Sequence, residues 1–167
     1  MKNRYVQYYV EGEDEVKLLN TLKGKMRLIR AGKVQKLNAT TCTLTDARLR
    51  TLSQNTMVVL IFDTDAGNPE ILKKNLDKLK HCTLVSEIVT IPQVCNLEDE
   101  LLRSCKINTI QELLNSKSQS DFKHDLIHVS NLDCKLAEHK FQIARFWSGI
   151  PTTPYQNIKN LSAKIKL

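Results

Sequence analysis

Three features of this 167-residue sequence predict an α/β fold, a mainly parallel sheet flanked by helices, with a helical C-terminal extension. Thr56–Phe62 (TMVVLIF) is a continuous apolar run bounded by polar residues, the pattern of a strand covered on both faces. Arg4–Val10 (RYVQYYV) is aromatic and β-branched, a second strand signal. Segments with helical apolar spacing separate the strand candidates, and that alternation favours parallel pairing through crossovers. A core is expected over residues 1–95, with a helical extension over 96–167 packed on it.

The first strand ends at Glu11-Gly12, where an acid and a glycine interrupt the apolar pattern. A helix is expected from Asp14, with Val16, Leu18, Leu19 and Leu22 on its buried face and Gly24 placed to stop it. Met26–Ile29 reads as a short strand, and Asp46–Leu52 as a helix capped by Thr45. The apolar run ends in Asp63-Thr64-Asp65-Ala66-Gly67. Asn68 then caps a helix with Pro69 at its first position and Ile71, Leu72, Leu76 and Leu79 as its stripe. Val85–Ile91 alternates and reads as a strand closed by Pro92. Leu97–Phe146 has a mostly helical pattern, and the tail after Gly149 is irregular up to a short basic stretch.

A chain of this length buries enough surface to fold without disulfide or metal. Its longest apolar run, Met57–Phe62, is far below the ~20 residues that span a bilayer. Acids arrive at Glu11 before any apolar signal core, so a cytoplasmic protein with no membrane partner is expected. The five cysteines form no CxxC, and His81, His124, His128 and His139 are scattered, so neither zinc nor a catalytic thiol is expected. The formal charge is +7 and unevenly spread. No acid separates Glu15 from Asp46, and that window holds Lys23, Lys25, Arg27, Arg30, Lys33 and Lys36; a second acid-free stretch follows Glu138. Basic islands attract polyanions through counterion release, although a solvated basic surface has the same composition.

In parallel sheets, functional groups gather at the carboxyl ends of the strands. Two such ends carry acids here, Glu11 after the first strand and Asp63 with Asp65 after the apolar one. Two carboxylates two residues apart in extended backbone point the same way, roughly 6–7 Å apart. They repel one another unless protonated or bridged by a cation. A hard divalent ion suits them and leaves room for phosphate oxygens. Acids after a strand also serve simply as helix caps, which leaves a purely structural account of Asp65 open.

The order strand–Glu-Gly–helix, then strand–Asp-x-Asp-x-x-Gly–helix, resembles the Toprim domain of topoisomerases, bacterial primases, rRNA maturases and overcoming-lysogenization-defect (OLD) nucleases. Tyr9-Val10-Glu11-Gly12-Glu13-Asp14-Glu15 matches the first motif and Ile61-Phe62-Asp63-Thr64-Asp65-Ala66-Gly67 the second, within a span from Tyr5 to Ile91. The resemblance implies a Rossmann-like sheet, Mg²⁺ or Mn²⁺ held by Glu11, Asp63 and Asp65, and Glu11 as a general acid or base. It makes Glu15 a further acid. Asn96-Leu97-Glu98-Asp99-Glu100-Leu101-Leu102 resembles the acidic helix start of nuclease-like members, which makes Glu98 a candidate extra ligand, although three acids there also simply favour a helix N-terminus. A downstream lysine assists in the OLD-like proteins, and Lys123, Lys135 and Lys140 are the candidates. Primase, topoisomerase and ATPase regions are not matched by this chain. The resemblance therefore implies a stand-alone nuclease acting on DNA or RNA, of the kind paired with a separately encoded ATPase in phage defence.

Lys23–Lys36 is expected to guide the phosphate backbone. Two alternatives stand beside the nuclease. One is a non-catalytic subunit that binds nucleic acid or an ATPase partner, and the other is a metal-dependent phosphotransferase or phosphatase acting on a small substrate. Phe141, Arg145, Phe146 and Trp147 offer a stacking platform for bases, but helical spacing favours the core for the aromatics.

Overall fold

The computed structural model describes residues 5–167, and Arg4 of the expected first strand lies outside them. The strands are β1 (Tyr5–Val10), β2 (Lys33–Lys36), β3 (Thr56–Asp63) and β4 (Val85–Gln93). They form one sheet in the order β2-β1-β3-β4, with every pairing parallel. The helices are α1 (Glu13–Lys23), α2 (Asp46–Arg50), α3 (Pro69–Lys80), α4 (Leu97–Ser104), α5 (Gln119–His128) and α6 (Leu132–Glu138). The α/β class read from the sequence is the class observed. Among the described residues no helix is long and apolar enough to cross a membrane.

Strand side chains alternate between two cores, as the period of two requires. Val6, Tyr8 and Val10 of β1, with Met57, Val59 and Ile61 of β3, face one core, shared with Leu18 and Leu22 of α1 and with the C-terminal elements. Tyr9, Val58, Leu60 and Phe62 face the other, shared with Leu72 and Leu79 of α3. Both faces are covered, which is why β3 reads as an uninterrupted apolar run. Each such side chain contributes about 1.5–3 kcal/mol through burial.

Three expectations need correction. Met26–Ile29 is not a strand of the sheet: Arg27 takes a positive φ of 53° that breaks extended backbone, and Ile29 makes only an isolated bridge to Lys166. The paired segment is Lys33–Lys36, too polar to read as a strand because it is an edge with exposed lysines, which discourage pairing with another chain. β4 does not close at Ile91 but runs to Gln93, since Pro92 lies on the other edge of the sheet, where a missing N–H is tolerated. Regular helix stops at Glu138, well before Phe146; residues 139–148 are turns and irregular backbone, with Lys140 and Trp147 at φ of 54° and 57°. Phe146 and Trp147 are nevertheless fully buried, so the aromatics belong to the core and not to a stacking platform.

The loop between β2 and α2 is pinned to α3 by one side chain. Asn75, fully buried, accepts from the Leu44 N–H at 2.7 Å and donates to the Ala39 and Cys42 carbonyls at 2.9 and 2.8 Å. That loop carries Thr40, whose carbonyl accepts from the Asn68 N–H at 2.8 Å and so sets the start of α3. Asn75→Ala leaves three backbone groups without partners, and urea denaturation should show a loss of about 3 kcal/mol or more at unchanged m. A loss below about 1 kcal/mol would mean that water replaces the amide there.

Candidate functional site

β1 and β3 are neighbours at the centre of the sheet, and the helices that follow them leave toward opposite faces, α1 to one core and α3 to the other. The sheet therefore has a topological switch point between β1 and β3, where crevices open beyond the carboxyl ends of the strands. Tyr9 pairs with Leu60, so two residues further on Glu11 stands level with Phe62, one residue short of Asp63. Asp63 pairs in turn with Gln93 at the end of β4. The two motifs singled out in the sequence thus meet at the switch point.

Thr64 fastens the turn after β3. Its N–H donates to the Gln93 and Cys95 carbonyls at 3.1 and 3.0 Å, its hydroxyl donates to the Gln93 carbonyl, and the same hydroxyl accepts from the Cys95 N–H. The turn closes at Gly67, whose φ of +84° and proximity to Thr40 leave no room for a side chain: a Cβ there would lie 2.1 Å from the Thr40 hydroxyl. On the α1 side, Gly12 takes ordinary extended backbone, and its N–H donates to Glu15 Oε2 at 2.8 Å, so the Glu15 side chain caps the start of the helix.

Each acid has a partner. Glu11 accepts a hydrogen bond from the Asp63 backbone. Asp63 Oδ1 accepts from Gln93 Nε2 at 2.7 Å, and Asp65 Oδ2 from Asn96 Nδ2 at 3.1 Å. Glu15, nearly fully buried, is hydrogen-bonded to Asp14 and lies 3.4 Å from Gln93 Nε2. Glu98 lies 3.5 Å from Lys123 Nζ, and Asp14 3.9 Å from the same atom. Among the described residues no three His, Cys, Asp or Glu side chains are gathered closely enough to hold an ion as they stand.

Their fields nevertheless overlap. Burial raises Asp63 to about 8, and Glu11, Asp65 and Glu98 push the same way against the opposing Gln93 bond. Burial and the bond and charge of Asp14 raise Glu15 to about 9. Glu11 is raised by burial first, with the Asp63 backbone bond opposing and the Asp65 charge adding. Lys123 is disfavoured by burial, but Glu98 and Asp14 outweigh this and hold its ammonium above the usual range. Burial is the largest cause of each carboxyl's shift, and the neighbouring acids add to it.

The basic stretch does not gather at these acids. α1 runs back from the acidic end for 11 residues, about 16 Å, so Lys23 and Lys25 sit toward the opposite end of the sheet. Lys33 pairs with Gln7, three residues behind Val10, and Arg27 and Arg30 precede it. Lys36, paired with Val10, is the member that reaches the acidic end, and its ammonium bonds Glu13. Lys23 donates to the Gly32 carbonyl, and Lys25 pairs with Asp133 at 3.1 Å. Lys23–Lys36 is therefore spread along the sheet, with Lys36 alone of its cations at the acidic end. Of the three lysine candidates, Lys123 touches the acids; Lys135 pairs with Glu138 at 3.0 Å, and Lys140 lines a cavity elsewhere.

Two residues of the site went unread in the sequence. Gln93, fully buried, holds Asp63 and is itself bonded at Oε1 by Trp147 Nε1 at 3.2 Å. Asp14 links Glu15 to Lys123. A glutamine at the end of an apolar strand is the signal for Gln93, masked by ending β4 at Pro92. No protein-family model matches the chain, and neither does any curated protein or any solved structure.

A pH experiment tests the charge excess. Unfolded, Asp63 and Glu15 release protons near their ordinary 3.8 and 4.5; folded, they hold them to about 8 and 9. The folded state binds more protons across that window, so stability is greatest below the unfolded values and falls as pH rises toward 9. In EDTA the urea midpoint should therefore drop between about pH 5 and about pH 9. Gln93→Leu removes the donor that favours ionised Asp63, and its deficit against wild type should widen over the same range. Parallel profiles for the two proteins would contradict the role given to Gln93.

Proposed function

We propose that the chain is a Toprim-type nuclease that cleaves phosphodiester bonds in nucleic acid with Mg²⁺ or Mn²⁺. The observation that carries this reading is the position of Glu11, Asp63 and Asp65 at the switch point, with Asp63 raised to about 8 by burial and by its acidic neighbours. Glu11, Asp63 and Asp65 would hold the metal, with Glu15 and Glu98 behind them. A divalent ion bound there supplies Lewis-acid stabilisation of charge on the phosphodiester oxygens.

The chain's own groups supply the rest. Gln93 orients Asp63 from inside the protein, and the Thr64 bonds keep the Asp63–Gly67 turn rigid. Glu15, whose carboxyl is pushed up by burial and by Asp14, bonds the Gly12 N–H and Asp14 and lies beside Asp63. Lys123 places an ammonium at the rim of the acids, where it can meet a phosphate oxygen.

A second reading, a non-catalytic subunit that binds nucleic acid or a separately encoded ATPase, draws on a specific observation. Asp63, Asp65 and Glu98 are each already engaged by Gln93, Asn96 and Lys123.

Incubation with single- and double-stranded DNA, transfer RNA and structured RNA, in Mg²⁺, Mn²⁺ or EDTA, separates the two. The nuclease reading expects metal-dependent cuts that Asp63→Asn with Asp65→Asn lowers by about 100-fold or more, equal to about 2.7 kcal/mol of barrier. Lys123→Ala should lower the rate by about 10- to 100-fold, with a small drop in melting temperature because Glu98 and Asp14 lose their cationic partner, while Lys135→Ala leaves the rate unchanged. A wild-type chain that cuts none of these substrates with either metal would hand the function to the second reading.

A further inference from the structure

The second acid-free stretch of the sequence finds its place away from the acidic site. Beyond α4 the chain runs Ser104-Cys105-Lys106, and it is joined to residues 139–142 by two backbone bonds. The Lys106 N–H donates to the His139 carbonyl at 2.7 Å and the Gln142 N–H to the Ser104 carbonyl at 2.9 Å. Between them lies a cavity of about 470 Å³ lined by Lys106, Lys140 and Arg145, with the amides of Asn108 and Gln142 beside them. It has no acidic lining residue.

Of the cations in the second acid-free stretch, Lys140, Arg145 and Lys159 have no carboxylate partner among the described residues, and Lys140 and Arg145 line this cavity. In the same stretch, Lys164 pairs with Glu87 and Lys166 donates to the Phe146 carbonyl, so both are spent within the fold. Nearby acids are spent as well: Glu112 accepts from the Asn108 and Thr109 N–H groups, Glu138 pairs with Lys135, and Glu100 with Arg103. Among the described residues, Lys106, Lys140 and Arg145 have no carboxylate partner. Three cationic residues line one concavity, and like charges brought together there repel, a cost that an anion would relieve. The larger cleft of about 860 Å³ between α2 and α3 makes the contrast, since its rim mixes Asp46 and Asp77 with Arg50, Lys74 and Lys78 and carries no such bias.

We infer that the Lys106–Lys140–Arg145 cavity binds a phosphate group. A guanidinium offers paired N–H donors matched to phosphate oxygens, two ammonium groups add point charge, and the Gln142 and Asn108 amides supply neutral donors. The site needs neither a metal nor the acids at the switch point, so it stands or falls independently of the nuclease reading. α4 spans eight residues, about 12 Å, from the acidic end to Ser104, and the cavity lies beyond its far end. A phosphate held there belongs to a separate small molecule or to a distant position on a strand.

The test uses the whole chain in EDTA, where no metal-dependent cleavage occurs. Inorganic phosphate is titrated while backbone amide shifts are followed by NMR. Saturable shifts are expected at Lys106, Asn108, Lys140, Gln142 and Arg145. Lys106→Ala with Arg145→Ala should weaken phosphate binding about tenfold or more, since charge-assisted hydrogen bonds are lost. Lys33→Ala should leave it unchanged. A single-stranded oligonucleotide then distinguishes the source of the phosphate. If the double variant also lowers the salt slope of oligonucleotide binding by about 1.4, two strand contacts lie in the cavity. If it weakens inorganic phosphate alone, the ligand is a small phosphate compound. Shifts that do not saturate, that spread over the basic surface, or that persist unchanged in the double variant would overturn the assignment.

Discussion

The hydrogen bond from Gln93 to Asp63 is the joint through which the rest of the site is held. Burial opposes ionisation of Asp63, and Glu11, Asp65 and Glu98 oppose it further; Gln93 works in the other direction. An amide meets both demands of the position, a donor for Asp63 and an acceptor for Trp147. A glutamate in its place would add another negative charge, and a leucine would leave Asp63 without its donor. The amide is satisfied at both ends, giving to Asp63 and accepting from Trp147, so its own burial is not a net cost. The strain of crowding carboxylates is local, and it is offset by β3, whose residues from Met57 to Phe62 are buried without exception.

Charge divides the molecule along its strands. The carboxyl ends of β1 and β3 and the start of α4 carry Glu11, Asp63, Asp65 and Glu98, whereas Lys23, Lys25, Arg27, Arg30 and Lys33 belong to the other end of the sheet. A long-range field drawing in a polyanion would meet that opposite end first. Lys36 is the exception, and its neighbourhood is already neutralised by Glu13. Arg48 also turns inward, donating to the Lys36 carbonyl at 2.9 Å and lying over the Tyr9 ring at 5.8 Å. Near the acids themselves, Lys123 reaches the cluster, from a helix that the charge pattern did not single out.

Elements governed by local chemistry were legible in the sequence. The apolar run that became β3, the Asn68 cap accepting from the Glu70 N–H at 2.9 Å, and the Thr45 cap accepting from Arg48 at 3.2 Å follow from neighbours in the chain. So does the appearance of acids at strand ends. What escaped depends on position in the sheet. β2 is polar because it is an edge, and Pro92 is tolerated because β4 is the opposite edge; neither fact exists until the strand order is fixed. The basic window misled for a related reason. Sequence adjacency suggested a single island beside the acids, but a helix running back from the strand end carries its last residue away from them.

The division at residue 95, drawn where strands give way to helices, marks two parts of one compact domain. Domain boundaries lie where few contacts cross. Here one core is built jointly from Leu18 and Leu22 of α1, Ile61 of β3, Leu101 of α4, Phe122 and Leu126 of α5, and Phe146 and Trp147. Glu100, fully buried, ties the parts further, accepting from the Val94 N–H and the Trp147 N–H at 2.9 Å each while pairing with Arg103 at 2.6 Å. Asn160 and Ser162 in turn donate to the Trp147 carbonyl, holding the left-handed turn that aims the indole N–H at Gln93. A continuous chain of bonds thus runs from the tail through Trp147 and Gln93 to Asp63. Residues 96–167 act as the wall against which the acidic site is braced, and a core cut at 95 would lose the cover that α4 to the tail give one face beside α1, and the partner that fixes its central glutamine.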